Sequence, residues 1–295
     1  MKKSDVAFYF VVEGARLEQQ ALFLASTLRD HNQIATLIAY VPETSDLTPA
    51  TTRFLAACDC DIRPLPQPDG VWKKPYPHGN KIFAAAQPRD EPVSVFLDTD
   101  MIACRPFELS ALPGENEVAV VPEGVASWGK DDDRWERAYA HFGLEVPTEK
   151  VRLTRGRRRL FYPYFNAGMV AFRTHDLVDG QTFGALWQAT AQEADWSLAV
   201  GGKRPWLDQI TLPLAISRFG FRHKVLDDVY NLPIARRAHD PSLNPVLLHY
   251  HRLRYLDAWP QGQSAFQSVI ARLPSGDHAQ FIEDCAATGF RPALL

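Results

Sequence analysis

Two carboxylates directly follow a strongly apolar strand candidate in this 295-residue chain. Residues 93–97 read Val-Ser-Val-Phe-Leu, and Asp98 and Asp100 come next with one residue between them. In an open α/β sheet, ligands bind at the carboxyl ends of the strands, where hard cations such as Mg²⁺ or Mn²⁺ take oxygen ligands and often bridge to phosphates. The pattern predicts a site for a divalent cation and a diphosphate, although two acids in a turn are also typical of a surface that meets only water.

Further polar residues lie where predicted elements begin or end. A turn of small residues, which we call the small-residue corner, begins an apolar strand. An acid and an amide lie at the start of one helix, and a lysine lies at the start of another. Two histidines lie at the end of the last strand. These residues are Asn166, Ala167 and Gly168, then Asp208 and Gln209, then Lys81, and finally His249 and His251. Each has an ordinary structural explanation when taken singly, such as a helix N-cap for Asp208.

Strand and helix patterns alternate along the chain and must position these residues. In the N-terminal part, strands are predicted at 6–12, 35–41, 61–65 and 93–97, with helices at 17–31, 49–57 and 80–87. Downstream, strands are predicted at 118–122, 164–173, 221–226 and 245–250, with helices at 182–194, 206–219 and 278–288. Such alternation is typical of βαβ units, so we expect an α/β fold with a Rossmann-like, mainly parallel sheet flanked by helices. Residues 123–160 are predicted to be irregular.

Composition limits the class of protein. With 46% hydrophobic and 23% charged residues the chain is globular, and a net charge of −3 gives no global attraction to nucleic acid. Cys58 and Cys60 have only one residue between them, which favours reduced thiols over a zinc or redox pair. No segment reaches the roughly 18–20 apolar residues that span a bilayer. We expect a cytoplasmic protein without a transmembrane segment, for which peripheral membrane contact stays open.

The order and spacing of four short motifs resemble those of nucleotide-sugar glycosyltransferases with the A-type fold. The motifs are Phe96-Leu97-Asp98-Thr99-Asp100, Phe165-Asn166-Ala167-Gly168-Met169-Val170, Asp208-Gln209 and Leu248-His249-Tyr250. The resemblance is to glycogenin-like proteins and bacterial lipopolysaccharide galactosyl- and glucosyltransferases, and it covers about residues 5–256. It implies a glycosyltransferase domain at 1–256, followed by a C-terminal helical extension at 257–295.

The resemblance also implies roles for single residues. Asp98, Asp100 and His249 would bind a Mn²⁺ or Mg²⁺ ion on the donor diphosphate, and Asp98 would reach the ribose as well. The donor itself would contact Lys81, Asp98, Asn166, Ala167, Gly168 and Arg252. Asp208 and Gln209 would flank the reacting carbon as the catalytic pair.

The chain departs from the family pattern at two places. After the histidine-aromatic pair the family has a glycine and then Lys-Pro-Trp, whereas here His251 keeps the spacing to Trp259 and no lysine is present. His249 keeps the histidine-aromatic pair and is therefore the preferred ligand, with His251 as the alternative. The resemblance implies that Arg252 or Arg254 takes the place of the phosphate-binding lysine. In the family a second acid usually follows the catalytic glutamine, but this position is Ile210, which leaves the identity of the sugar open.

The implied reaction is a metal-dependent transfer of a hexose from a nucleoside-diphosphate sugar, UDP-linked, to a hydroxyl of a glycan, lipid or protein acceptor, with retention of configuration. One alternative is a haloacid-dehalogenase-like phosphatase with Asp98 as nucleophile, and another is a non-catalytic nucleotide-sugar binding protein on the same fold. Two further groups have open roles. The arginines between 152 and 159 form a solvated face or contact a ligand, and Trp128, Trp135 and Tyr139 stack on an acceptor sugar or anchor a loop.

Overall fold

The computed structural model describes residues 4–292. Within them the chain divides into two compact units. The first unit contains the residues up to Pro64, Leu97–Leu109 and the residues from Val229 onward, and the second contains Leu65–Phe96 and Ser110–Asp228. The prediction of a domain at 1–256 with an extension at 257–295 stays a prediction.

The described residues form strands and α-helices that alternate in the first half of the chain. The strands are β1 Val6–Val11, β2 Thr36–Pro42, β3 Cys60–Leu65, β4 Val93–Leu97, β5 Met101–Ala103, β6 Glu117–Pro122, β7 Val151–Arg152, β8 Leu160–Phe161, β9 Phe165–Arg173, β10 Leu177–Val178, β11 Gln181–Thr182, β12 Arg222–Val225, β13 Leu232–Pro233 and β14 Leu247–His249. The α-helices are α1 Gly14–His31, α2 Pro49–Ala57, α3 Asn80–Ala86, α4 Arg134–His141, α5 Phe183–Ser197, α6 Leu207–Arg218, α7 Pro260–Ile270 and α8 His278–Ala287.

The first unit is built on two parallel strands, β1 and β2, with β3 beside β2. Both strands are apolar along almost their whole length, as strands covered on two faces require. Helix α1 packs against α2 and α7, and the Phe23 ring on α1 meets the rings of Phe281 and Phe290 near the C-terminus. A small second sheet has the order β13-β14-β5, in which β14 is antiparallel to β5. This small sheet brings the segment after β4 together with residues near 249.

The second unit has the strand order β12-β6-β9-β4, with β12 parallel and β9 antiparallel to β6. Helix α5 packs against α3 and α6, and α6 also contacts β9 and β12. The register between β6 and β9 shifts abruptly, because Val120 lies opposite Val170 while the next residue, Val121, lies opposite Asn166. The intervening residues of β9 form a bulge, which is a common device for aiming backbone groups beside a functional site.

The predicted α/β class with a mainly parallel sheet and flanking helices is confirmed, and most elements begin or end within three residues of their predicted limits. Two helices were not predicted. Helix α4 lies inside the segment expected to be irregular. It was not predicted because charged residues dominate its sequence, although Trp135, Ala138 and Tyr139 form a buried face. Helix α7 begins at Pro260, where proline fits the first turn of a helix rather than breaking it.

Among residues 4–292, no helix combines the length and the apolarity that a bilayer span requires.

Candidate functional site

Asp98, Asp100 and His249 come together in the first unit, with one potential ligand atom from each lying within 4.8 Å of the others. The elements explain this placement. The two aspartates follow β4, and β5 begins immediately after them at Met101, which pairs with His249 of β14. The Tyr250 N–H also donates to the Asp100 carbonyl at 3.0 Å. Backbone pairing therefore carries the histidine to the acids.

His249 is 4% exposed, and both of its ring nitrogens have close partners. Nδ1 lies 2.9 Å from Asn231 Oδ1, and Nε2 lies 3.1 Å from Asp100 Oδ1. An amide oxygen only accepts, so Nδ1 carries a proton and donates it to Asn231. In the neutral imidazole, Nε2 then presents a lone pair to a carboxylate oxygen, and only a proton or a cation makes that contact favourable. Two carboxylates and an imidazole held in this tautomer fit a divalent cation.

The other candidates around 250 lie on the surface. His251 is exposed and has a left-handed backbone, with a φ of 59°. Its ring stacks on that of His249 with the centroids 4.0 Å apart, and it is outside the group of three potential ligands. Arg252 and Arg254 are both exposed.

In the second unit, Lys81 and Asp208 form a buried ion pair. Lys81 Nζ lies 3.2 Å from Asp208 Oδ2, and the two side chains are 9% and 4% exposed. The ammonium also donates to the carbonyl of Ala167 at 3.4 Å. A lysine in the first turn of α3 opposes the helix dipole, and the carboxylate of Asp208 compensates for this. Asp208 is the second residue of α6 rather than its N-cap, which is Trp206.

A buried tyrosine holds Asp208 at a second point. The Tyr76 hydroxyl lies 2.9 Å from both Asp208 Oδ1 and the Pro205 carbonyl, and it accepts the Asp208 N–H at 3.0 Å. It has one proton to donate, and the charged carboxylate is the stronger acceptor. Burial and the charge of Asp208 together raise the pKa of Tyr76, so the hydroxyl remains a donor at any working pH.

The small-residue corner is the bulge of β9. The Asn166 side chain donates to Glu123 Oε2 at 2.9 Å and accepts the Gly168 N–H at 2.9 Å. Because the bulge interrupts pairing with β6, the Ala167 carbonyl is available to Lys81. Lys81, Asp208 and the corner at 166–168 thus belong to one hydrogen-bonded network, which we call the Asp208 network.

Gln209 is half-buried, and its Oε1 lies 2.9 Å from the hydroxyl of Tyr164. That hydroxyl also lies 2.7 Å from Ser127 Oγ. Burial raises the pKa of Tyr164, which keeps it protonated. Gln209 is therefore connected to the same region through a tyrosine that directly precedes β9.

Several residues of these sites were not found from the sequence. Asn231 is the single residue between a short 3-10 helix, Asp228–Tyr230, and the two-residue strand β13, and no sequence pattern marks it. Tyr76 lies in a segment for which no helix or strand was predicted, and Tyr164 is the first residue of a predicted strand; neither position indicated a role in the site. The idea that Trp128, Trp135 and Tyr139 stack on an acceptor sugar is wrong, because each is completely buried.

Solved structures of glycosyltransferases share this fold. The galactosyltransferase LgtC, solved with donor and acceptor sugar analogs, matches with a TM-score of 0.59 and 12% identity, over 93% of this chain and 99% of LgtC. The bifunctional glycosyltransferase WbbM matches with a TM-score of 0.55 and 15% identity, over 96% of this chain and 52% of WbbM. GlyE of Streptococcus pneumoniae TIGR4 matches with a TM-score of 0.53 and 14% identity, over 98% of this chain and 65% of GlyE. The chain thus has the glycosyltransferase A-type fold.

The sequence gives the family. Residues 8–220 match the Rhodobacterales glycosyltransferase domain, so the chain belongs to that family and is a glycosyltransferase. No curated protein matches it significantly in sequence. The comparisons favour neither the phosphatase nor the non-catalytic alternative.

Proposed function

We propose that the protein transfers a hexose from a UDP-linked sugar to a hydroxyl of a glycan, lipid or protein, with retention of configuration and with Mn²⁺ or Mg²⁺ as cofactor. The observation that carries the proposal is the convergence of Asp98, Asp100 and the Asn231-bound His249 within 4.8 Å. The donor sugar analog described for LgtC supports a sugar donor for a protein of this fold.

In this proposal Asp98, Asp100 and His249 hold the cation, and Asn231 keeps the histidine in the tautomer that presents Nε2. The bound cation would supply positive charge against the leaving diphosphate. Arg252, exposed three residues after His249, would contact a phosphate in place of the absent lysine.

The Asp208 network would act on the sugar. Asp208 and Gln209 would face the reacting carbon, with Asp208 stabilising the positive charge that develops there. Lys81 and the corner formed by Asn166, Ala167 and Gly168 would contact the donor. In LgtC an active-site glutamine has been replaced by glutamate, which supports an active-site role for Gln209.

The test is donor hydrolysis, measured as UDP release from a panel of UDP-sugars with Mn²⁺, with Mg²⁺ and with a chelator. Asp100→Asn and His249→Gln are each expected to lower the metal-dependent rate roughly 100-fold, since the first removes the negative charge of one ligand and the second replaces the imidazole nitrogen by a neutral amide. Asp46→Asn is the matched control, because Asp46 is an exposed aspartate of the same unit, and its rate should equal that of the wild type.

A wild-type rate for Asp100→Asn in the presence of Mn²⁺ would overturn the metal assignment. Retention is checked separately by the anomeric configuration of the first product in an NMR time course. An inverted product would overturn that part alone.

We also propose a cytoplasmic location. It is supported by four free cysteines, of which Cys58, Cys60 and Cys285 are buried, as is usual in a reducing compartment.

A further inference from the structure

We propose that Tyr164 is a positioning residue for Gln209, which it orients so that the side-chain NH₂ group is the end presented to the donor sugar. The inference rests on the proposed function, in which Gln209 belongs to the catalytic pair. It adds both a new residue and a specific hydrogen-bonding role for the glutamine.

The geometry places three side chains in a row. Ser127 Oγ lies 2.7 Å from the Tyr164 hydroxyl, which lies 2.9 Å from Gln209 Oε1. Tyr164 is completely buried, so its hydroxyl is shielded from bulk water and its hydrogen bonds are made to these two partners. A tyrosine hydroxyl has only one proton, and the direction in which it points decides the orientation of the amide.

The proton is best placed toward Gln209. A phenol is a good donor, and its oxygen is a weak acceptor because the lone pairs are delocalised into the ring, whereas an amide carbonyl is a strong acceptor. Ser127 then donates to the Tyr164 oxygen, and all three groups are satisfied. Since the pKa of Tyr164 is raised by burial, the hydroxyl keeps its proton at every pH at which the enzyme works.

The bond from Tyr164 decides which end of the Gln209 amide is left to contact a ligand. With Oε1 engaged, the NH₂ group is the end of the amide with two donors to offer. Gln209 is half-buried in the first turn of α6, next to the fixed Asp208 carboxylate, so its NH₂ group can donate to an oxygen of the sugar. Gln209 acts in this scheme as a hydrogen-bond donor that selects a sugar oxygen.

The experiment compares Tyr164→Phe, Gln209→Glu and the double variant by steady-state kinetics on the donor that is turned over. Tyr164→Phe removes only the hydroxyl, and we expect kcat to fall roughly 10-fold with little change in KM, because one orienting hydrogen bond is lost. Gln209→Glu can still accept from Tyr164 but has no N–H, and we expect a loss of roughly 100-fold. The double variant is expected to be no worse than Gln209→Glu alone.

Tyr139→Phe is the matched control for loss of a buried hydroxyl. Tyr139 is equally buried in the same unit and has no bond to Gln209. Its kcat is expected to match the wild type, and thermal unfolding of each variant shows whether any loss of activity comes from the fold.

The outcomes separate the two proposals. A wild-type rate for Gln209→Glu would remove Gln209 from the catalytic pair and so overturn that part of the proposed function. A slow Gln209→Glu with an unchanged Tyr164→Phe would leave the function standing and overturn the positioning role. Losses that simply multiply in the double variant would also overturn it, since they would show that the two residues act independently.

Discussion

The side chain of Asn231 is hydrogen-bonded to the ring of His249. Its amide oxygen holds the proton on Nδ1, so that Nε2 is directed at Asp100. Removal of such a partner leaves the ring free to rotate and to change tautomer, which weakens metal binding even when every ligand remains.

Asn231→Ala is therefore expected to lower Mn²⁺ affinity roughly 10- to 100-fold. Isothermal titration with Mn²⁺ measures it directly, without any need for activity. Asn244→Ala, at an exposed asparagine of the same unit, should bind Mn²⁺ like the wild type. Equal affinities for Asn231→Ala and the wild type would show that the hydrogen bond does not support the site.

At the residue scale, sequence patterns predicted the strand-end acids and the strand-end histidine, because such positions can be read from apolar runs. They did not predict Asn231 or Tyr164. The role of Asn231 depends on the side-by-side pairing of β13 and β14, and that of Tyr164 on its contact with the first turn of α6. Neither contact can be recognised from the spacing of apolar and polar residues in the sequence.

At the element scale, the packing of α3 against α5 places Lys81 of the Asp208 network. The two helices approach closely at Gly184, where an added Cβ would lie 2.0 Å from the Ala85 carbonyl oxygen. Any side chain there must push α5 away from α3, and the overlap is with backbone that cannot rotate aside.

Gly184→Ala is expected to lower the free energy of unfolding by about 1–3 kcal/mol or more, as overpacking does. Urea denaturation measures this change. Gly201→Ala is the matched control, since a Cβ at Gly201 meets nothing within 4 Å, and its stability should be that of the wild type. A fully stable Gly184→Ala would mean that the two helices can separate freely.

Elements with a single clear pattern were predicted well, as with the helix at 49–57, which has Thr48 as N-cap and Pro49 in its first turn. The bulge in β9 was read only as a small-residue corner. A bulge is defined by the partner strand as much as by its own residues, and the strand β6 that opposes it is antiparallel and separated from it by more than 40 residues.

At the scale of the whole molecule, buried cysteine thiols and tyrosine hydroxyls with raised pKa values make the stability of the fold sensitive to high pH. Burial raises the pKa of Cys58 to about 11 and that of Cys104 to about 12, from an ordinary value of 9.0. Burial also raises the pKa of Tyr76, Tyr139, Tyr164 and Tyr250. Their protonated forms are favoured in the folded state.

Because the folded pKa values of Cys58 and Cys104 are raised, their contribution to stability is complete below pH 9 and is lost as the pH rises toward 11–12. The free energy of unfolding, measured with urea, should therefore be lower at pH 10.5 than at pH 8. Cys58→Ala, compared at both values, should show a smaller difference than the wild type. A stability that does not change over this range would contradict the burial of these thiols.

The division of the chain into two compact units, each built from separate sequence segments, was not predicted. Local sequence patterns indicate which segment forms a strand or helix. They do not indicate that the chain returns after Val229 to the unit that contains β1, because this return depends on contacts between residues far apart in sequence. This return forms the small sheet of β5, β13 and β14, and that sheet places His249 beside Asp98 and Asp100 in the candidate cation site.

The same return of the chain determines when the candidate cation site can form during synthesis. A ribosome releases Asp98 and Asp100 early, while His249 and its partner Asn231 emerge only after the whole second unit has been made. A chain still being translated offers two carboxylates, a weak and unselective pair for a divalent ion. The full set of three potential ligands comes together only once the late segment has paired with β5, so the proposed cation would bind at the end of folding rather than at its beginning.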